Sequence, residues 1–176
     1  MNTAEHSPNF SVAHRTAADF SSGPQEYLSF CLGGEEYGID ILKVQEIRGF
    51  EQPTRMTGAP EFVKGVLNLR GVIVPILDLR LKFGIPDPSY DALTVTVILA
   101  LDHFVVGIVV DSVSDVVELA PEQVKRVPEF SGYVTSTCIT GIGTLEQSGR
   151  DRMLILLNIE KLMGGSDMGL IQPALQ

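Results

Sequence analysis

The titratable side chains that stand at the ends of apolar segments are the first candidates for chemistry in this sequence. Four aspartates occupy such positions (Asp40, Asp78, Asp102 and Asp111), and His103 follows Asp102 directly. A histidine beside a carboxylate could act as a general base, because imidazole titrates near neutral pH. However, each aspartate also suits a turn or a helix cap, where its carboxylate accepts hydrogen bonds from backbone amides. We therefore interpret these residues as structural and predict that the chain is not an enzyme.

The remaining nucleophiles and metal ligands point the same way. Cys31 and Cys138 lie in apolar segments without Cys-x-x-Cys spacing, which is typical of unpaired core thiols in a reducing compartment. His6 and His14 have no cluster of ligand-type residues around them, so they do not predict a metal site. The sequence contains neither a glycine-rich phosphate loop nor a Gly-x-Ser-x-Gly motif. It predicts no cofactor.

A second group of polar residues is not explained by turns or caps, because its members alternate with or follow apolar residues. The charged members are Glu46, Arg48, Lys64 and Arg70, and their apolar neighbours are Val44, Ile47, Val72 and Ile73. They could be ordinary solvated charges, each contributing about 0–1 kcal/mol through a salt bridge. They could also form a protein interface, in which an apolar centre is bordered by charges. The composition leaves both interpretations open.

The segment from Val66 to Arg80 predicts the element that positions several of these residues. Two apolar runs flank Arg70-Gly71, which predicts a hairpin because glycine tolerates positive φ. The second run is apolar on both faces, whereas a strand with one face in water alternates. A second layer should therefore cover it. Before the hairpin, the sequence predicts a short helix over 60–64 that ends at Gly65.

The two halves of the sequence repeat the same order of strand, turn, cap and stop. Gly38 aligns with Gly107, Glu46 with Asp115, and the predicted helix cap Asp78 with Asn158, while Gly84 and Gly164 end the two helices. We predict a mainly all-β protein of two tandem barrels, each of about five short strands, packed side by side. Side chains fill the interior of barrels this small, so function should lie on outer surfaces, as in a binding module.

Composition sets the limits of the folded part and of its partners. The 176 residues are 44% hydrophobic and 20% charged, and the net charge of −9 excludes a basic surface for nucleic acid or anionic lipid. Apolar runs are too short for a membrane helix, and a signal peptide is missing, so we expect a cytoplasmic protein. Residues 1–24 predict a disordered leader, 25–164 a single domain and 165–176 a C-terminal tail. The barrel halves of this domain should span approximately 25–90 and 91–164. The sequence does not decide whether the halves exchange strands at their ends.

Four segments of the sequence resemble the CheW family of chemotaxis coupling proteins. They are residues 35–48 (EEYGIDILKVQEIR), 64–80 (KGVLNLRGVIVPILDLR), 105–117 (VVGIVVDSVSDVV) and 151–161 (DRMLILLNIEK). The resemblance runs from about Gln25 to Met163 and is greatest to the enterobacterial type. It implies SH3-like five-stranded barrels with short helical segments, and a non-catalytic scaffold without cofactors. In this family the scaffold couples methyl-accepting chemoreceptors to the histidine kinase CheA, whose regulatory domain has the same double-barrel fold.

The resemblance also assigns two sets of residues. The set implied to bind the receptor is Val44, Glu46, Ile47, Lys64, Arg70 and Ile73. The set implied to bind the kinase is Val113, Val116, Lys125, Glu129 and Phe130. A protein of this kind should be a monomer when free and should be recruited to chemoreceptor clusters at the membrane without inserting into it. The alternatives are an adaptor of another chemosensory pathway, part of a larger signalling enzyme, and an unrelated double-barrel module that binds a ligand.

Overall fold

A computed structural model describes residues 23–127 and 138–164 of the chain. The leader and the tail expected from the sequence fall almost wholly outside these residues. The strands are β1 (Gln25–Leu32), β2 (Glu35–Asp40), β3 (Val44–Gly49), β4 (Val63–Leu69), β5 (Val72–Asp78), β6 (Val95–Ala100), β7 (Val105–Val110), β8 (Ser112–Leu119), β9 (Val124–Lys125), β10 (Ile139–Gln147) and β11 (Arg150–Leu157). The helices are α1 (Leu79–Lys82) and α2 (Ile159–Met163).

The strands form two sheets, and each sheet contains strands from both halves of the sequence. One has the order β8-β1-β2-β11-β10-β9 and the other the order β3-β6-β7-β5-β4. The first hairpin of each half, β1–β2 or β6–β7, therefore lies in the sheet of the other half. Within the described residues the chain passes between the sheets twice, at the 3₁₀ turn Ile41–Lys43 and at Asp111. The mainly-β architecture predicted from the sequence is confirmed.

Each sheet closes into a barrel through the segment that follows one of its edge strands, which is β3 in one sheet and β8 in the other. After β3, the backbone N–H and C=O groups of Thr54 pair with those of Val66 on β4, at 3.0 and 2.9 Å. After β8, the short strand β9 pairs with β10, with Val124 opposite Gly143 and Lys125 opposite Ile142. The two closures are equivalent, because β3 and β8 are equivalent strands and so are β4 and β10.

Strand register confirms the predicted repeat. In the parallel pair β2–β11, Gly38 lies opposite Leu156, and in the parallel pair β5–β7, Gly107 lies opposite Ile76. A Cβ atom on Gly107 would lie 2.6 Å from the Cδ1 atom of Ile76, so only glycine fits without repacking. The two glycines that align in sequence therefore hold equivalent places.

The predicted helix caps are also confirmed. Oδ1 of Asp78 accepts a hydrogen bond from the backbone N–H of Arg80, and Oδ1 of Asn158 accepts one from the N–H of Lys161, each at 3.0 Å. The helix stops differ, contrary to the alignment. Gly84 has a φ of 76° and lies beyond the cap residue of α1, whereas Gly164 is the cap of α2 with a φ of −81°.

Three apolar clusters form the core. A small cluster fills each barrel, one around Ile76 and Ile98 and the other around Leu154 and Leu156. The largest cluster lies between the barrels and takes residues from both sheets, including Phe30 of one and Leu99 of the other. Strands such as β6 are therefore buried on both faces, which explains the apolar runs without alternation.

The hairpin at Arg70-Gly71 is confirmed, but the short helix before it is wrong. Arg70 and Gly71 have φ values of 53° and 87°, as a two-residue hairpin turn requires. Residues 63–69 form β4 instead of the end of a helix. Gly65 has a φ of 140°, and a Cβ atom there would lie 1.9 Å from the carbonyl oxygen of Thr54. Gly65 thus allows close approach of two backbones, and pairing of β4 with β5 overrides the local helix signals.

Candidate functional site

A cluster of charges lies at one end of the first barrel, between strand β3 and the β4–β5 turn. Nη2 of Arg70 donates to Oε2 of Glu46 at 2.5 Å, and Nη1 of Arg48 donates to its Oε1 at 3.3 Å. The Arg70 side chain is 69% exposed, whereas that of Glu46 is 25% exposed. The hydrogen bond from Arg70 lowers the pKa of Glu46, so this carboxylate stays ionised. This end of the barrel therefore presents a guanidinium to solvent above a paired carboxylate.

The register of β3 separates its predicted site residues onto two faces. Glu46 lies opposite Ile98, whose side chain fills the barrel, so the carboxylate lies on the interior side of the sheet. Ile47 lies opposite Val97, which belongs to the cluster between the barrels, so Ile47 lies on the outer side. Val44 is partly buried against that cluster. The charges thus border the open end of the barrel, and the apolar residues lie outside it.

Three exposed apolar side chains lie on β3 and β5 at this end of the barrel. Val72 and Ile73, which follow the turn, are 53% and 51% exposed, and Ile47 is 45% exposed. These three residues and the pair of Glu46 and Arg70 are referred to below as the Glu46 end. It combines an exposed cation with apolar surface, as the core and margin of protein interfaces do.

Lys64 does not belong to the Glu46 end. It lies near the start of β4, and six residues at a rise of about 3.3 Å place it roughly 20 Å from Arg70, at the opposite end of the barrel. Its Nζ atom lies 5.6 Å from the centroid of the Tyr90 ring, which packs on Phe50 at 4.4 Å. These residues line a pocket of about 390 Å³ together with Arg55. The six residues assigned to the receptor therefore form more than one surface.

The residues assigned to the kinase lie on the other sheet. Val113 and Val116 are on β8, and Lys125 is on β9. Val113 packs against the cluster between the barrels, while Val116 is 52% exposed. Glu129 and Phe130 lie outside the described residues. Only Val116 and Lys125 of this set are therefore seen to be exposed.

The sequence reasoning missed a larger polar network at the corresponding end of the second barrel. The guanidinium of Arg152 donates to four side chains: Glu36 through Nε at 2.9 and 3.0 Å, Asp115 at 2.6 Å, Gln147 at 3.1 Å and Ser29 at 3.0 Å. These partners lie on β2, β8, β10 and β1, so Arg152 on β11 connects five of the six strands of this sheet. The alignment of Glu46 with Asp115 was the one available signal.

Charge pairing in this network shifts the two carboxyl groups in the same direction. The hydrogen bonds from Arg152 lower the pKa of Glu36 and the pKa of Asp115 below their ordinary values, against the effect of burial. The same bonds raise the pKa of Arg152. All three groups are therefore charged near neutral pH, and they stabilise the closed barrel.

A buried network that the sequence did not predict joins both sheets. Arg80 is 1% exposed and forms two hydrogen bonds to Asp78 through Nε and Nη2, at 3.0 and 2.9 Å. Its Nη1 donates to the carbonyl of Ser89 at 2.6 Å and to Asp111 at 3.0 Å. The Tyr90 hydroxyl donates to Asp78 at 2.7 Å, and desolvation followed by this bond raises the pKa of Tyr90 to about 12.

Thiols, metal ligands and membrane helices are the other features that could give the chain a function. Cys31 and Cys138 are not joined in a disulfide; the first is half-buried and the second buried, and burial raises the pKa of Cys138. Within residues 23–127 and 138–164, no group of three or more His, Cys, Asp or Glu residues could hold a metal ion. No helix in the part of the chain that the structure describes is long and apolar enough to cross a membrane.

Comparison with known proteins identifies the fold that carries these surfaces. A family model described as the CheW-like domain matches residues 26–166. The chain belongs to the CheW-like domain family. It is 55% identical over 147 residues to the chemotaxis protein CheW of Klebsiella aerogenes, covering 84% of this chain and 86% of that protein. It is 31% identical over 147 residues to the probable chemotaxis protein CheW of Rhizobium etli, covering 84% and 92%.

A solved structure of the CheW family confirms the architecture. The scaffolding protein TtCheW from Thermoanaerobacter tengcongensis superposes with a TM-score of 0.72 at 27% identity, covering 82% of this chain and 95% of that one. The resemblance to the CheW family and to its enterobacterial type, expected from four sequence segments, is therefore confirmed, as is the double SH3-like barrel.

Proposed function

We propose that this chain is a non-catalytic adaptor that couples chemoreceptors to the histidine kinase CheA in chemotaxis. The observation that carries the proposal is the 55% identity to a chemotaxis protein CheW over 147 residues, which are 84% of this chain. The description of TtCheW as a scaffolding protein supports an adaptor in place of an enzyme. The adaptor works in the cytoplasm at membrane-associated receptor clusters, and it is a monomer when free.

The Glu46 end is the surface that we assign to the receptor. A helical receptor tip with an apolar stripe would cover Ile47, Val72 and Ile73, and an acidic side chain on the helix would meet Arg70. The guanidinium of Arg70 has five N–H donors, and Glu46 accepts from its Nη2 group. Arg70 can therefore donate to a second carboxylate as well. Lys64 lies on the same barrel but at its other end, so it contacts a separate part of the receptor or of the array.

The second barrel is the side that we assign to the kinase. The exposed Val116 and Lys125 support this assignment, and Val113 packs against the cluster between the barrels. Glu129 and Phe130, which lie outside the described residues, are assigned to the kinase by the family resemblance. Because receptor and kinase occupy different barrels, the adaptor can hold both at once and pass a change in receptor packing to the kinase.

The arrangement between the barrels supports transmission. A shared apolar cluster and the buried Arg80 network connect the two sheets, so the relative position of the barrels is defined. A partner that shifts one barrel therefore acts on the other. A flexible connection would absorb such a shift.

Reconstitution tests the function. The chain is added to CheA and receptor-bearing membranes, and transfer of phosphate from ATP to the kinase's response regulator is measured. We expect phosphotransfer to rise well above the basal rate and to fall when attractant is added. Phosphotransfer that stays at the kinase's basal rate would refute the coupling function.

Charge reversal at Arg70 tests whether the Glu46 end binds the receptor. Arg70→Asp should weaken receptor pull-down and leave kinase binding intact, while Arg150→Asp, at an exposed arginine of the second barrel, should leave receptor pull-down unchanged. The double exchange Arg70→Glu with Glu46→Arg restores the internal ion pair but not the surface charge. If the double exchange also restores receptor binding, the ion pair matters only for structure, and the surface assignment is wrong.

A further inference from the structure

The two places where the chain crosses between the sheets are held in different ways. One crossing is the 3₁₀ turn Ile41–Lys43 between β2 and β3, and the other is the single residue Asp111 between β7 and β8. The duplication of the fold makes them equivalent, and each is joined by an ion pair to the second residue of a short helix from the opposite half. These pairs are Lys43 with Glu160 of α2, and Asp111 with Arg80 of α1.

The Asp111 crossing is fixed from several sides. Its backbone N–H donates to the carbonyl of Cys31 at 3.0 Å, and its carboxylate accepts from the N–H of Gly33 at 2.8 Å and from Arg80 at 3.0 Å. The Arg80 side chain is 2% exposed, and that of Asp111 is 36% exposed. Movement here would break bonds to both sheets and would leave a buried guanidinium with fewer partners, which is costly.

The turn Ile41–Lys43 is held much more weakly. None of its three residues is fully buried, and Leu42 is 86% exposed, while Ile41 is partly buried against the cluster between the barrels. Nζ of Lys43 lies 2.6 Å from Oε1 of Glu160. This oxygen is shielded from water, but the two side chains are 31% and 35% exposed, so salt can still weaken the pair. Cavities of about 370 and 330 Å³ lie beside the turn, and Asp40 lines both.

We propose that the turn Ile41–Lys43 is a latch, which opens while the Asp111 crossing stays closed. Opening breaks the ion pair between Lys43 and Glu160 and releases the turn, and it exposes no fully buried side chain. The turn leads directly into β3, so opening shifts the strand that carries Glu46 and Ile47 relative to α2 of the second barrel. The fold thus contains one fixed and one releasable connection between its barrels.

The reversal of charge between the two pairs supports this difference. Arginine on the buried side forms a planar, forked set of hydrogen bonds with Asp78 and Asp111, and a guanidinium stays charged when buried. Lysine on the exposed side has a flexible stem and a strongly hydrated ammonium group, which exchanges readily between a carboxylate and water. The pair with a buried guanidinium suits a permanent connection, and the pair whose two side chains are both partly exposed suits a reversible one.

Amide hydrogen exchange of the full-length chain tests the latch, independently of the proposed adaptor function. The reporting amides are those of Leu42 and Val44, which bond to Asp40 and Ile41 within the turn, and those of Gly33 and Asp111 at the other crossing. We expect Leu42 and Val44 to exchange at least about tenfold faster than Gly33 and Asp111. Equal protection at the two crossings would overturn the proposal.

Variants at the ion pair separate the latch from general loosening. Lys43→Gln and Glu160→Gln should each accelerate exchange at Leu42 and Val44 about two- to fivefold, as expected for loss of an exposed pair, and leave Asp111 unchanged. The exchanged pair Lys43→Glu with Glu160→Lys should return the rates to within about twofold of the wild type. Acceleration at both crossings, no acceleration, or failure of the exchanged pair to restore the rates would each refute the latch.

Discussion

Replacement of Arg152 by methionine should lower the free energy of unfolding by about 2–3 kcal/mol. Methionine keeps most of the apolar stem but removes the side-chain hydrogen bonds by which Arg152 connects β11 to β1, β2, β8 and β10. Hydrogen bonds to charged groups contribute about 1.5–3 kcal/mol when buried. The Glu36 side chain is 22% exposed, so its pair with Arg152 keeps most of that value, whereas the 47% exposed Asp115 adds under about 1 kcal/mol.

Thermal unfolding followed by circular dichroism measures this loss. For a domain of this size, 1 kcal/mol corresponds to about 2–4 °C, so Arg152→Met should melt about 5–10 °C below the wild type. Arg150→Met is the matched control, because it removes an exposed arginine from the same strand and should change the stability by less than about 0.5 kcal/mol. If the two variants melt at the same temperature, Arg152 does not close the barrel.

The pH dependence of the same variant checks the cause. Arg152 lowers the pKa of Glu36 and of Asp115 from ordinary values of 4.5 and 3.8. A lowered pKa in the folded state gives stability that is complete above the unfolded-state pKa and is lost as the pH falls through the lowered value. The melting temperatures of wild type and Arg152→Met should therefore differ fully above about pH 5 and converge below about pH 4. A constant difference down to pH 2 would contradict the electrostatic explanation.

Three further substitutions test separate features of the fold. Gly65→Ala should destabilise by about 3 kcal/mol or more, because its Cβ atom would meet a backbone oxygen, whereas Gly71→Ala, with open space around it, should cost only about 1–2 kcal/mol in chemical denaturation. Thr96→Val should leave the melting temperature unchanged or raise it, because the Thr96 hydroxyl is buried without a hydrogen-bond partner among the described residues. Tyr90→Phe should cost about 1–2 kcal/mol in urea unfolding, because Asp78 loses a donor.

The controls for these substitutions are found in the same chain. Tyr27→Phe removes a hydroxyl that donates to the exposed Gln25, so it should cost much less than Tyr90→Phe. Equal costs would mean that the buried network around Asp78 is not special. A loss above about 1 kcal/mol for Thr96→Val would show that its hydroxyl has a partner such as water. If Gly65 and Gly71 respond alike, close backbone approach is not what selects glycine at Gly65.

Features encoded by neighbouring residues were predictable from the sequence. The hairpin at Arg70-Gly71 and the caps at Asp78 and Asn158 depend on residues within a few positions, and each was found as expected. The predicted helix over 60–64 is wrong. A glycine that could end a helix can equally allow close contact between two backbones, as Gly65 does. That contact depends on Thr54, eleven positions away, which propensity rules do not consider.

Features that depend on distant partners were not predictable. The Arg152 network joins side chains up to 123 positions apart, and none of them carries a local signature. The placement of Lys64 away from Arg70 follows from β4 being a strand, since a strand extends further per residue than a helix. Apolar runs on both faces predicted that β6 and β7 were covered, but they did not specify in which sheet the strands would lie.

The exchange of hairpins between the two halves has a consequence for synthesis of the chain. The β1–β2 hairpin leaves the ribosome first, yet its neighbours in the sheet are β8 and β11. Leu28 pairs with Val116 and Gly38 with Leu156, so the first hairpin must wait for most of the domain to be translated before its edges are paired. Until then it exposes two unpaired strand edges and an apolar face. The first barrel, whose last strand is β7, can close earlier and offers that face its first partner.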